Sequence, residues 1–114
     1  MSLARGLVQD PRILILDEPT SNLDVRHQMY VSAFLRLLVR KTGTTAIMVS
    51  QDLNLSAKFA DRMIVMGKPG VIHSIGEPRD VVTEGMIRDV YGVNCEVLDD
   101  HGVPHVVLQS VMFE

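Results

Sequence analysis

Three features of this 114-residue chain predict an α/β fold with parallel strands flanked by helices. Residues 13–16, ILIL, form a short aliphatic run that ends in the carboxylates Asp17 and Glu18 and then in Pro19. Residues 45–50, TAIMVS, form a second β-rich run, followed by Gln51 and Asp52. Between the two, Tyr30, Val31, Phe34, Leu35 and Leu38 recur at helical spacing. A strand, a helix and a second strand joined this way make a right-handed crossover with parallel strands. Such strands are expected to be buried on both faces, and ligands bind in the crevice beyond their carboxyl ends.

Each element follows from local chemistry. Residues 2–8, SLARGLV, carry apolar positions at helical spacing without an N-terminal approach, which suits the end of a helix that Gln9, Asp10 and Pro11 break. Residues 20–24 are a polar loop, and Asp24 is a plausible N-cap for a helix over 25–40, with Arg26, Arg36 and Arg40 left to solvent. Gly43 marks the turn into the second strand. A helix is expected over 53–60 and a third strand over 62–66. From Gly67 the texture changes: GKPGVIHSIGEP reads as a hairpin with Gly70 near its turn. Residues 79–91 suit one or two short helices ended by Gly92. Strands over 93–98 and 106–109 flank the turn residues 99–102.

Composition narrows the partners. The length suits one domain with a core, since domains of about 100–150 residues are the commonest. A net charge of −3 without a Lys/Arg cluster argues against nucleic acid as a direct partner. The single cysteine, Cys95, and the lack of a charged-then-apolar leader suggest a reducing, cytoplasmic setting. No apolar stretch is long enough to span a bilayer, so any membrane role is expected to run through a partner. Low aromatic content, no Trp and frequent Met point to an aliphatic core filled by adaptable side chains.

The carboxylate pair admits two readings. Asp17 and Glu18 can hold a hard divalent cation and polarise a water, the ingredients of metal-assisted phosphoryl chemistry. Strands also end in Asp or Glu simply because loops are polar. The longer string DEPTSNLD specifies far more positions than the pair does. His27 suits helix packing or capping, since no second metal ligand lies at useful spacing. His73, His101 and His105 are scattered and carry no assignment.

These residues resemble a nucleotide-binding subunit of an ATP-binding cassette (ABC) transporter, with its P-loop NTPase architecture. ILILDE looks like the family's Walker B segment. The resemblance implies magnesium binding at Asp17 and polarisation of the attacking water by Glu18. SNLD (Ser21, Asn22, Leu23 and Asp24) resembles the D-loop, which in such proteins crosses the interface of the nucleotide-sandwich dimer. Ala4 and Arg5 resemble the end of the helix that follows the LSGGQ signature, and VSQDLNLSAKFADRMIVM resembles the switch-loop region. The hairpin after it resembles the family's GxxxxxG segment. LDVRHQ, QDLNLSAKFAD and YGV are similar to importers of iron-siderophore complexes, haem and cobalamin.

The resemblance covers nearly the whole chain but about half of the family's domain. It implies a partial ABC ATPase fold with a C-terminal β-rich extension, 1–66 being the Walker B to switch-loop half and 67–114 the hairpin, helices and extension. No GxxxxGK[ST] loop, Gln loop or LSGGQ string is present. The isolated chain is therefore expected to be inactive and to bind no nucleotide or Mg2+ by itself, although the parent domain uses both. At position 51 the family usually places a His that senses the γ-phosphate. Gln51 can donate a hydrogen bond there but carries no imidazolium charge, so either hydrolysis is slowed or the variant is tolerated. Expected ATP-contacting residues are Asp17, Glu18 and Gln51.

In this architecture the strand leading into the phosphate loop lies between the strands at 45–50 and 62–66. Without it, an open edge and an uncovered apolar face favour self-association or a non-native closure of the sheet. Implied partners are the remainder of the nucleotide-binding domain, a second nucleotide-binding subunit and a membrane permease. The implied location is the inner face of the cell membrane. A non-enzymatic interaction or regulatory module is the alternative. A soluble relative acting on DNA or ribosomes is disfavoured by the siderophore-type segments and the acidic balance.

Overall fold

The computed structural model describes residues 13–112; the helix end expected over 2–8, with Ala4 and Arg5, lies outside them. The chain divides into two compact units, Met1–Gln51 and Asp52–Glu114, each with its own apolar cluster.

The first unit contains strand β1 (Ile13–Asp17), helix α1 (Val25–Thr42) and strand β2 (Thr45–Val49). The strands pair in parallel, from Ile13 opposite Thr45 to Asp17 opposite Val49, as the crossover pattern predicts. Helix α1 starts at the expected N-cap, where Asp24 accepts a hydrogen bond from the His27 backbone N–H. It continues to Thr42 because Gly43, with φ of 72°, closes it by donating its N–H to the Val39 carbonyl at 3.0 Å.

Three expectations for this unit are corrected. Strand β1 is covered on one face only: Leu14 is 1% exposed, while Ile13 and Ile15 are 59% and 62% exposed. Alternation decides this, since α1 packs Val31, Leu35 and Leu38 against Leu14, Leu16 and Met48, and no described element of the unit covers the other face. Tyr30 is exposed as well, because the stripe that meets the sheet centres on residues 31, 35 and 38 and includes the buried Ser32. Arg26 and Arg40 lie in solvent as expected, whereas Arg36 is half-buried.

The second unit runs through α2 (Leu53–Phe59), β3 (Met63–Gly67), β4 (Val71–Gly76), α3 (Pro78–Val81), α4 (Glu84–Tyr91), β5 (Val93–Asp100) and β6 (Val103–Val111). The third strand is itself one arm of the hairpin: β3 pairs antiparallel with β4. Gly70 closes their turn with φ of 77° and an N–H bond to the Gly67 carbonyl at 3.0 Å. The two short helices end at Gly92 in the left-handed region, as predicted. Strands β5 and β6 are longer than expected and turn at His101 and Gly102, both with positive φ, the backbone a tight two-residue hairpin needs. Ile87, wholly buried, sits in the unit's core with Val65, Val82, Met86 and Val106. The six described strands form three two-stranded sheets, with β2 and β3 in different ones.

Candidate functional site

The predicted site residues in the first unit meet at one end of the β1–β2 pair. Parallel pairing in strict register brings both carboxyl ends to the same edge, so Asp17 lies level with Val49. Glu18 extends the ladder by one bond, donating its backbone N–H to the Val49 carbonyl at 2.7 Å. Gln51 follows β2 by two residues and is exposed at a bend. Asp17, Glu18 and Gln51 are thus brought to the carboxyl tip of one parallel pair, where α/β sheets present ligand-binding groups.

The backbone at Glu18 is strained. Its φ of 47° lies in the left-handed region, which costs a non-glycine residue about 1–2 kcal/mol. Bonds on both sides hold it there: its N–H is fixed by Val49, and its carbonyl accepts from the Ser21 N–H at 3.1 Å. Glu18 is half-buried in this turn, whereas Asp17 before it is exposed.

The loop that follows is organised by Thr20. Thr20 is buried, and its carbonyl accepts from the Leu23 N–H at 3.3 Å and from Gln28 Nε2 at 3.3 Å. Asn22 takes a positive φ of 67°, which its short amide tolerates. Ser21, Asn22, Leu23 and Asp24 are all exposed, so the SNLD segment faces outward on a backbone pinned from below. Sequence reasoning missed Thr20 as the anchor of this loop, because a Thr in a polar run carries no local mark of burial.

At the loop's end, Asp24 Oδ1 accepts from the His27 N–H at 2.9 Å and lies 2.7 Å from His27 Nδ1. The backbone hydrogen bond from His27, then its ring, hold the Asp24 carboxyl below its usual range. His27 thus serves capping, as expected. Among the described residues no group of three or more His, Cys, Asp or Glu side chains could hold a metal ion by itself. Cys95 is buried, and that burial pushes its thiol pKa up, with Glu84 adding to the effect.

Comparisons with known proteins give the chain's relatives. The chain is 42% identical over 106 residues to the haemin import ATP-binding protein HmuV of Escherichia coli O157:H7, covering 88% of this chain and 41% of that protein. It is 37% identical over 107 residues to the ferric enterobactin transport ATP-binding protein FepC of E. coli K12, covering 92% and 39%. An uncharacterised ABC transporter ATP-binding protein of Methanocaldococcus jannaschii is 40% identical over 105 residues, covering 92% and 41%. The chain thus spans about two fifths of the length of the curated relatives it matches. No protein-family model matches it.

Among solved structures, a metal-chelate-type ABC transporter in an inward-facing conformation matches with a TM-score of 0.74 at 18% identity, over 96% of this chain and 43% of that one. CbiO1 of Clostridium perfringens, part of the cbiONQ ABC transporter complex, matches with a TM-score of 0.54 at 37% identity, over 71% and 32%. The fold is therefore a partial ABC ATPase fold. The chain corresponds to a portion of an ABC transporter ATP-binding protein. Within that class its relatives include the ATP-binding proteins of haemin and ferric-siderophore import, the group to which its motifs point.

Proposed function

We infer that this chain supplies the metal-binding and water-polarising part of the ATP-hydrolysing subunit of an importer for iron-siderophore, haem or cobalamin complexes. The observation that carries the reading is the in-register parallel pair that brings Asp17, Glu18 and Gln51 to one tip. Asp17 would hold magnesium. A site of one or two carboxylates suits Mg2+, which keeps waters and takes its other ligands from phosphate oxygens. When bound, the ion neutralises charge on those oxygens. Glu18 accepts a hydrogen bond from the attacking water and takes its proton. Gln51 donates its amide N–H to a γ-phosphate oxygen. Ser21, Asn22, Leu23 and Asp24, facing outward, would meet the second nucleotide-binding subunit.

On this reading residues 1–66 and 67–114 are the catalytic half and the C-terminal extension of one partial nucleotide-binding domain. The other partners are the remainder of that domain and a membrane permease, which holds the subunit at the inner face of the membrane. Among the described residues no helix is long and apolar enough to cross a membrane. The chain by itself is expected to bind no ATP or Mg2+ and to hydrolyse none.

Exchanging the corresponding segment of HmuV for this chain tests the proposal. The chimaera should hydrolyse MgATP, and Glu18→Gln should reduce turnover to background; a Glu18→Gln chimaera with undiminished turnover overturns it. Turnover by the chain alone that disappears in Glu18→Gln would overturn its predicted inactivity.

A second reading, a non-enzymatic interaction module, draws on the uncovered face formed by Ile13, Ile15, Ile47 and Val49. Apolar surface of this kind favours association, with another copy when the chain is isolated.

A further inference from the structure

Asn54 joins two elements that lie far apart in the sequence. Its side-chain amide meets both backbone groups of Val106: Nδ2 donates to the carbonyl at 3.1 Å, and Oδ1 accepts from the N–H at 2.7 Å. Val106 stands opposite Val97 in the β5–β6 ladder. Alternate residues of an antiparallel pair turn their N–H and C=O away from the partner strand. Asn54 fills that outward pair as a neighbouring strand would. A primary amide can donate and accept in this geometry at the same time, which a carboxylate or hydrocarbon cannot.

The clip acts on the first turn of α2. Asp52 caps that turn, its carboxylate accepting from the Leu55 N–H at 3.0 Å and its carbonyl from the Ser56 N–H at 3.0 Å. One turn further on, Ala57 is buried in the same apolar cluster as Val106. Cap, clip and apolar contact together fix the start of α2, and in the chain α2 begins just after Gln51 and Asp52.

We propose that Asn54 is a positioning residue: by gripping Val106 it uses the β5–β6 hairpin as a backstop for the first turn of α2, and so fixes Asp52, the backbone point from which the phosphate-sensing segment at Gln51 leaves. The meaning given to Gln51 rests on the proposed function. The mechanical part does not, and the experiment addresses it separately.

Amide hydrogen exchange read by NMR on the full chain tests it. In Asn54→Asp at pH 7 the carboxylate keeps an acceptor but loses the donor and sets charge against the Val106 carbonyl. Protection at Leu55 and Ser56 should fall roughly tenfold, about the worth of one hydrogen bond, together with that at Val106. Below about pH 4 the protonated carboxyl regains a donor beside its acceptor. Protection should then return to the wild-type level at the same pH, wild type serving as the control for every other effect of acid on the chain, including any on the neighbouring charged groups Asp52, Lys58, His101 and His105. Asn54→Leu should lose protection at both pH values. Wild-type protection of Leu55 and Ser56 in Asn54→Asp at pH 7, or a loss that low pH does not reverse, overturns the proposal. If Asn54→Asp does not fold at pH 7, Asn54→Gln, with its amide on a longer arm, takes its place: partial loss at Leu55 and Ser56 supports the proposal and full protection refutes it. Absence of ATP turnover in the HmuV chimaera would count against the proposed function and would leave these exchange rates untouched.

Discussion

Glu18 carries the sharpest local tension in the described chain. It follows an extended strand, precedes a proline and sits at φ 47°, a conformation that glycine adopts without penalty. Glu18→Gly should therefore be more stable than Glu18→Ala by about 1 kcal/mol, the reverse of the usual order at ordinary positions. Denaturant melts of the two variants would show it, and Ala above Gly would mean the strain is absent. Gln51 offers a functional counterpart. In the HmuV chimaera, Gln51→His should raise turnover ~5-fold if an imidazolium replaces a neutral donor to phosphate, a gain of about 1 kcal/mol.

Asp24 makes a pH prediction at the same scale. Hydrogen bonds from His27 lower its pKa in the folded state relative to the ordinary 3.8. A depressed carboxyl stabilises the fold above the unfolded pKa, and that contribution is lost as pH falls through the folded one. Helix α1 should thus weaken below pH 3.8, and Asp24→Ala should flatten this part of the acid limb in far-UV circular dichroism. Cys95 works in the opposite sense. Its raised pKa makes the unfolded thiol ionise first, so its effect is to lower stability as pH rises above 9.0, and native Cys95 should react slowly with thiol reagents until the second unit opens.

Helix α4 shows how local signals and packing combine at the scale of an element. Thr83 caps it by accepting from the Met86 N–H at 3.1 Å, and Gly92 ends it at φ 67°. Thr83→Ala should cost about 1 kcal/mol by removing that cap. Ile87, in the middle of the helix and wholly buried, should cost about 2–5 kcal/mol on truncation to Ala. Thermal or urea melts would rank the two, and an Ile87→Ala loss no larger than that of Thr83→Ala would show that the cluster around it is not packed as described. The Gly92 end of α4 was legible in the sequence, because a left-handed stop depends on residues within one turn, whereas its start at the Thr83 cap was not separated from the rest of residues 79–91. Strand β3 was legible as a strand but not as an arm of the hairpin, since its partner is chosen by the Gly67–Gly70 turn and by the register that follows it.

At the largest scale, the division of the described strands into three two-stranded sheets leaves apolar faces open. Ile13, Ile15, Ile47 and Val49 line one face of β1–β2, and Ile64, Ile75 and Met66 are exposed on β3–β4. The isolated chain should self-associate in a concentration-dependent way. Ile15→Lys should shift it toward the monomer, with light scattering during gel filtration as the readout. A compact wild-type monomer at all concentrations would count against this.

The sequence by itself determined what nearest neighbours decide: the strand–helix–strand order, the Asp24 cap of α1 and the turn at Gly43, the turns at Gly70 and Gly102, and the string that puts Asp17 and Glu18 at the carboxyl end of a strand. Periodicity, capping and turn chemistry act over a few residues, so they can be read directly. Only the tertiary structure decided which face of β1 is covered, the left-handed backbone of Glu18 and the grip of Asn54 on Val106. Each depends on a group brought close by folding (α1 against Leu14, the Val49 carbonyl against Glu18, a strand 52 residues away against Asn54), and no local pattern encodes that meeting.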